Sequence, residues 1–312
     1  SHFIYSLFGI SIILFGYWKM PSSPVVVPEP ISISTTTPTP PVPKIPTITI
    51  LAVGDIMLGR SVNTKIQKQK DFSFPAQKII SSLPKSDLFL ANLESPFADN
   101  CPLTDTGMVF CADPRSIATL KLLGITTVTI ANNHIGNQGQ TGLSKTIDIL
   151  NQNNIKPITT NQIITINNTQ IALIAFNDIP PYVNDINKLS EDTLVNQVKE
   201  IRPKVDFLII TPHWGNEYQM ASSRQKNLAR LAIDSGADLI IGHHPHWVQE
   251  IEEYQGKLIY YSLGNFIFDQ MWSEKTRQGI IAKITIENYK VISNSETHIL
   301  INTSYQPEIL LK

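Results

Sequence analysis

Five short segments of this chain are dense in side chains that bind divalent cations. They are Gly54-Asp55-Ile56-Met57-Leu58-Gly59-Arg60, Asn92-Leu93-Glu94, Asn132-Asn133-His134, Pro212-His213-Trp214-Gly215-Asn216-Glu217 and Gly242-His243-His244-Pro245-His246. They hold five of the seven histidines; only His2 and His298 lie elsewhere. Singly, each residue has an ordinary explanation as a turn aspartate, a loop asparagine or a hydrogen-bonded core histidine. Jointly they point to a metal site. Carboxylate, amide oxygen and imidazole suit Zn, Mn or Fe rather than Mg alone. A pair of such ions about 3.5–4 Å apart polarises an ester oxygen and lowers the pKa of a bridging water. That chemistry needs a shared carboxylate, terminal histidines and an acid for the leaving group, and the segments contain all three. The His244-Pro245-His246 spacing lets two imidazoles of an extended loop approach neighbouring ions, which i, i+2 positions on a helix do not.

The elements that must position these groups are strands. Apolar runs precede each segment: Ile48–Val53, Leu88–Ala91, Thr126–Ala131, Phe207–Thr211 and Leu239–Ile241, with Ile171–Phe176 as a further strand. Short, continuous Ile/Leu/Val runs are what strands buried on both faces require. Helical patterns lie between them at Pro75–Leu83, Asp113–Leu123, Thr141–Asn151, Leu189–Ile201 and Ser223–Ser235. Leu258–Ser262, Gly279–Ile286 and Tyr289–Leu300 then read as antiparallel strands, the last two joined at Glu287–Asn288. The expected fold is α/β: two stacked mixed sheets with helices outside, and a crevice beyond the carboxyl ends of the strands.

The N-terminus is of another character. Phe3–Trp18 is uncharged and apolar, and as a helix would rise about 24 Å, slightly short of a ~30 Å hydrocarbon core. No small-x-small cleavage site follows it, since Lys19, Met20 and Pro21 come next. Residues 1–20 are therefore expected to be a transmembrane signal anchor rather than a cleaved leader. Residues 21–46 carry nine of the 21 prolines and are expected to be an extended linker. Residues 47–312 form the head, expected outside the cell membrane on a single span. Cys101 and Cys111 share one polar loop. Two buried thiols are an alternative, but the shared loop favours a bridge, consistent with an oxidising compartment. With 25 Lys+Arg against 26 Asp+Glu, no electrostatic reason exists to expect nucleic acid as a partner.

Taken in order, AVGDIMLGR, ANLESPF, ANNHIGNQGQTGL, HWGNEY, GHHPHWVQ and YSLGNFIFD resemble the CapA-type family of poly-γ-glutamate capsule-synthesis proteins, which share the calcineurin-like metallophosphatase fold. The matching motifs span residues 52 to 269. The resemblance implies an α/β/β/α sandwich and a membrane-anchored extracytoplasmic protein of capsule-type polymer synthesis or export. It implies as partners the membrane, an anionic polymer such as poly-γ-glutamate, and other membrane subunits of a synthesis complex.

The resemblance also implies residue roles. Glu94, Asn133, His213 and His244 hold one ion, and Asp55, Glu94 and His246 the other, with His134 assisting catalysis by protonating a leaving group. Met57 stands where the histidine of the first motif's Asp-x-His would be, so one of the two positions is expected to be weakened, leaving one or two ions. Asn137 replaces an aspartate often found three residues after the histidine of ANNH. Arg60, Asn92, Asn132, Glu217, Asn265 and Asp269 are candidates for substrate contact, and the loop Asn177–Lys188 for selectivity. Two readings of activity stay open: a metal-dependent hydrolase, including a phosphoesterase for another cell-surface substrate, or a non-catalytic polymer-binding subunit.

Overall fold

The computed structural model describes residues 11–20, 22–23 and 47–310. Almost all of the expected linker, and the first half of the expected span, lie outside the described residues. Ser11–Met20 has no regular secondary structure, and among the described residues no helix is long and apolar enough to cross a membrane. The helix expected over Phe3–Trp18 is thus not formed in its described part. Its large apolar side chains there are exposed, and an isolated helix this short is marginal in water.

The head is a separate compact unit. Its strands in chain order are β1 (Ile48–Ile56), β2 (Leu88–Leu93), β3 (Thr127–Thr129), β4 (Lys156–Ile158), β5 (Asn161–Ile166), β6 (Thr169–Asn177) and β7 (Phe207–His213). There follow β8 (Leu239–Ile241), β9 (Ile251–Tyr254), β10 (Lys257–Tyr260), β11 (Asn265–Ile267), β12 (Gln278–Glu287), β13 (Lys290–Ile301) and β14 (Pro307–Ile309). One sheet runs β14-β13-β12-β1-β2-β3-β4 with β11 also paired to β1; the other runs β5-β6-β7-β8-β10-β9. In the second sheet the side chains alternate between two cores. Ile171, Leu173, Phe207, Ile209, Leu239, Ile241 and Tyr260 face the core shared with the first sheet. Ala172, Ile174, Leu208, Ile210, Ile240 and Ile259 face the opposite core. This period-2 burial on both faces is why the runs read as continuously apolar.

The helices are α1 (Arg60–Gln69), α2 (Ile117–Leu123), α3 (Gly139–Gln152), α4 (Glu191–Ile201), α5 (Ser223–Ser235) and the single turn α6 (Glu274–Arg277). Val62, Ile66, Leu120, Leu143 and Leu150 of α1–α3 join the first core. Leu194, Val198, Leu228 and Ala232 of α4 and α5 cover the other. The result is the expected sandwich of two mixed sheets with helices outside. Ser190 and Ser222 cap α4 and α5 through reciprocal capping boxes. Two helical expectations differ. Pro75–Leu83 is only two 3-10 turns, Phe74–Ala76 and Ile80–Ser82, and α1, following Gly59 directly, was not anticipated. The hairpin between β12 and β13 turns at Asn288 and Tyr289, both left-handed (φ 50° and 60°), one residue later than expected.

One glycine decides how the site is assembled. Any Cβ on Gly54 would sit 1.8 Å from the Gly264 carbonyl oxygen. Its absence lets the chain before β11 reach β1, where Asp55 N–H donates to Gly264 O at 2.9 Å and Asp55 registers with Asn265.

Candidate metal centre

Parallel strands β1, β2, β3, β7 and β8 end at one edge of the sandwich, and each delivers a polar residue there. Asp55 lies at the end of β1, Glu94 just past β2, Asn133 and His134 after β3, His213 at the end of β7, and His244 and His246 after β8. All are buried. One ligand atom each of Asp55, Glu94 and His213 lies within 4.8 Å of the others, and the same holds for Glu94, His244 and His246. Asn133 Oδ1 is 2.9 Å from His213 Nε2. Glu94 is common to both groups, and His246 Nδ1 also lies 3.3 Å from Asp55 Oδ2. His244 and His246 have φ of 100° and 56°, so this segment bends and is not the extended loop that was expected. Such conformations cost on the order of 1–3 kcal/mol each and persist only where surroundings enforce them.

The centre of the cluster is Glu94 Oε1, a buried oxygen with no hydrogen-bond partner. The Nε2 atoms of His246, His134 and His213 approach it at 3.7, 3.8 and 3.9 Å. A carboxylate oxygen orphaned among imidazoles, each too distant for a hydrogen bond, fits a cation held between them better than a self-contained polar network. The residues present therefore suit a divalent ion. His246 is prepared for it: its Nδ1 lies 2.9 Å from Asn265 Oδ1, whose amide nitrogen donates to Gln270 and Thr276. Asn265 can thus act only as acceptor, so His246 carries its proton on Nδ1 and turns Nε2 to Glu94.

The groups proposed for substrate contact divide. Asn92 and Asn132 are fully buried behind the ligand types. Asn92 Nδ2 donates to Asp55 Oδ1 at 2.8 Å, and Asn132 Nδ2 donates to Asn92 Oδ1 and to the Leu93 carbonyl. From these buried positions they brace Asp55 and the backbone just before Glu94. Asn265 does the same for His246. Arg60 is ion-paired with Asp269, so each is already engaged by the other. Glu217 is partly exposed, on the turn beside Tyr218. Met57 is buried and its sulfur accepts from Gly59 N–H at 3.0 Å, contributing nothing to the cluster. Val183, in the Asn177–Lys188 loop, packs against Gly136, two residues after His134.

Two participants were missed. His243 is buried with Nδ1 3.4 Å from Asp55 Oδ1 and both ring nitrogens without hydrogen bonds; its place inside the GHHPH segment was the available signal. Phe110, described below, had none. The cysteines are joined as a Cys101–Cys111 disulfide with Cα atoms 5.4 Å apart.

Electrostatics separate the imidazoles. Burial pushes His134 down to about 4 against the pull of Asn137. Burial and the neighbouring His246 push His244 down to about 3, and burial with His244 holds His213 well below the ordinary value. For His246, burial is outweighed by Glu94 and Asp55, which raise it to about 9. Burial raises Asp55, but His243 and His246 override it and hold the carboxyl well below the usual range. Glu94 is raised by burial and by Asp55.

Stability of the metal-stripped protein follows from these signs. Below 6.5 the unfolded chain takes up protons that folded His134, His213 and His244 refuse, so three groups destabilise as pH falls toward 4. Raised Glu94 opposes them, and His246 acts only above 6.5, where its contribution is lost as pH rises through about 9. Thermal melts of metal-free protein are expected to show Tm falling between pH 6.5 and pH 4. A flat or rising profile on acidification would contradict the neutral burial of these rings.

The chain is similar to known proteins in sequence and in fold. The profile described as "Bacterial capsule synthesis protein PGA_cap" matches residues 49–270. The chain is 31% identical over 251 residues to "PGA biosynthesis protein CapA" of Bacillus subtilis, covering 74% of this chain and 66% of that protein. It is 30% identical over 260 residues to "Capsule biosynthesis protein CapA" of Bacillus anthracis, covering 75% and 63%. The chain thus spans just under two thirds of the length of these curated relatives. A crystal structure of a novel phosphatase from Mycoplasma pneumoniae superposes with TM-score 0.55 at 14% identity, covering 82% of this chain and 94% of that one. A hypothetical protein from Thermus thermophilus gives 0.52 at 13%, covering 80% and 98%. At such identities these two structures establish the fold alone.

Proposed function

Because the chain belongs to the bacterial capsule synthesis protein PGA_cap family, we propose that it is a membrane-tethered, extracytoplasmic component of capsule-type polymer synthesis or export, whose metal-binding head acts on a poly-γ-glutamate-type chain. The observation that carries this reading is the convergence of Asp55, Glu94, His213, His244 and His246 around the unpartnered Glu94 Oε1. Zn, Mn or Fe is the class of ion the donors suit. When bound, such an ion supplies Lewis acidity toward a carboxylate or acyl oxygen and lowers the pKa of a coordinated water.

The chain's own residues do the rest. Glu94, Asp55, His213, His244 and His246 are the ligands, with Asn133 beside His213. Asn92, Asn132 and Asn265 hold them in place. His134 Nδ1 lies 3.0 Å from Asn137 Oδ1, which also accepts Phe110 N–H at 2.7 Å. An oxygen that accepts from Phe110 makes Nδ1 the protonated nitrogen, so Nε2 is bare and faces the cluster. His134 therefore takes up a proton there first and returns it to a leaving group second, rather than arriving as the acid the sequence suggested. Neutral Asn137 sets the tautomer without adding charge.

A second reading, polymer binding without turnover, draws support from Met57, a poor ligand type whose sulfur already accepts from Gly59 N–H. The two separate in one experiment. The full chain in detergent, stripped and reloaded with Zn or Mn, is incubated with poly-γ-glutamate and with a panel of phosphoesters. Metal-dependent shortening of the polymer is the expected result. Metal-dependent retention of intact polymer supports the binding reading, and hydrolysis confined to phosphoesters, or indifference to metal, removes the proposal.

A further inference from the structure

His134 leaves the first sheet on a 3-10 turn (Ile135–Gln138), and its ring is gripped by a segment from an unrelated part of the chain. Phe110 lies flat against it, with ring centroids 3.9 Å apart and planes 20° from parallel. The Arg60 guanidinium carbon lies 4.7 Å from the Phe110 centroid, and that guanidinium is itself fixed by Asp269 and by the Gly107 carbonyl at 3.0 Å. The backbone of Phe110 is tied to the same turn: its N–H donates to Asn137 Oδ1 at 2.7 Å and its carbonyl accepts Gln138 Nε2 at 2.9 Å.

Phe110 is buried, yet Met108 and Val109 immediately before it are 59% and 63% exposed. Burial of one ring at the end of an otherwise exposed loop needs an anchor, and the next residue is Cys111, bridged to Cys101. The anchor continues inward. Ala112 exchanges backbone hydrogen bonds with Pro96 and Ala98, just downstream of Glu94, and Gly59 leaves no space beside the Cys111 carbonyl, where a Cβ would come within 2.9 Å. The disulfide loop thus connects the chain after Glu94, the start of α1 and the His134 turn.

We propose that the Cys101–Cys111 loop is the positioning arm of His134, with Phe110 as its contact surface and Arg60 as its backing. A ring held on one nitrogen by Asn137 can still tilt about that hydrogen bond; a face-to-face contact removes that tilt and directs Nε2 at the cluster. The inference rests on the reading that His134 acts on substrate, and its test reports on the arm independently of turnover.

The test uses the full chain with labelled histidine, followed by NMR. The stacked His134 ring protons lie in the shielding region of Phe110, whereas exposed His298 on β13 serves as the unaffected reference. Phe110→Leu, which keeps an apolar side chain at the site, and the Cys101→Ser/Cys111→Ser pair are each expected to move the His134 resonances downfield and leave His298 in place. Phe110→Tyr is expected to restore the wild-type position. Polymer shortening should fall about 10- to 100-fold in kcat in the first two variants, with KM and metal content retained. An unmoved His134 resonance in the folded cysteine variant overturns the arm. A moved resonance with undiminished turnover upholds the arm and instead removes the catalytic role of His134.

Discussion

Glu94→Gln is expected to lower divalent-metal affinity by at least about 100-fold while leaving the metal-free protein no less stable. Substitution of groups that merely orient a ligand costs about 10- to 100-fold, and Glu94 stands at the centre of both candidate ligand groups. Its Oε1 is the atom toward which three imidazoles converge, and an amide offers neither the charge nor the second equivalent oxygen. Stability should move the other way, because burial, with Asp55 adding to it, disfavours the ionised form of Glu94 more than the neighbouring His246 favours it. A neutral isostere removes this penalty without opening a cavity. Calorimetric titration with Zn and Mn, elemental analysis and paired thermal melts check both halves. Wild-type stoichiometry in Glu94→Gln would remove the shared-carboxylate assignment.

His134→Gln is expected to separate chemistry from binding. A positioned acid–base group contributes about 10²- to 10⁴-fold to rate, so polymer shortening should fall by that factor with metal content and polymer affinity preserved. The physical basis is its place at the edge of the cluster: Nε2 is 3.8 Å from Glu94 Oε1, but the ring is anchored by Asn137 and Phe110 and not by the metal-ligand types. Substitution therefore leaves the Asp55–Glu94–His213 and Glu94–His244–His246 groupings standing. Equal chain-length distributions from variant and wild type would favour a polymer-binding subunit.

These two residues also show how much of the site could be read in advance. Asp55, Glu94, His213, His244 and His246 were found because each follows an apolar run, and parallel strands with a common direction must deliver their ends to one edge. What could not be read is which side of a turn a side chain takes. The left-handed backbone at His244 and His246 replaces the extended loop that the spacing suggested. Asn92 and Asn132 went behind the ligands because their amides match carboxylate and carbonyl partners across neighbouring strands, a pairing that depends on register.

Residue types, their order and the apolar runs before them were enough to determine the two-sheet sandwich and the edge at which the polar groups meet. Those properties are set by local propensity and by the direction of strands, both written along the chain. Only the folded molecule decided that Phe110 clasps His134, that Arg60 and Asp269 satisfy each other, and that Gly54 admits β11 beside Asp55. Each of these contacts joins segments far apart in sequence at distances of a few ångströms, and such proximity is a property of packing that no periodicity or spacing encodes.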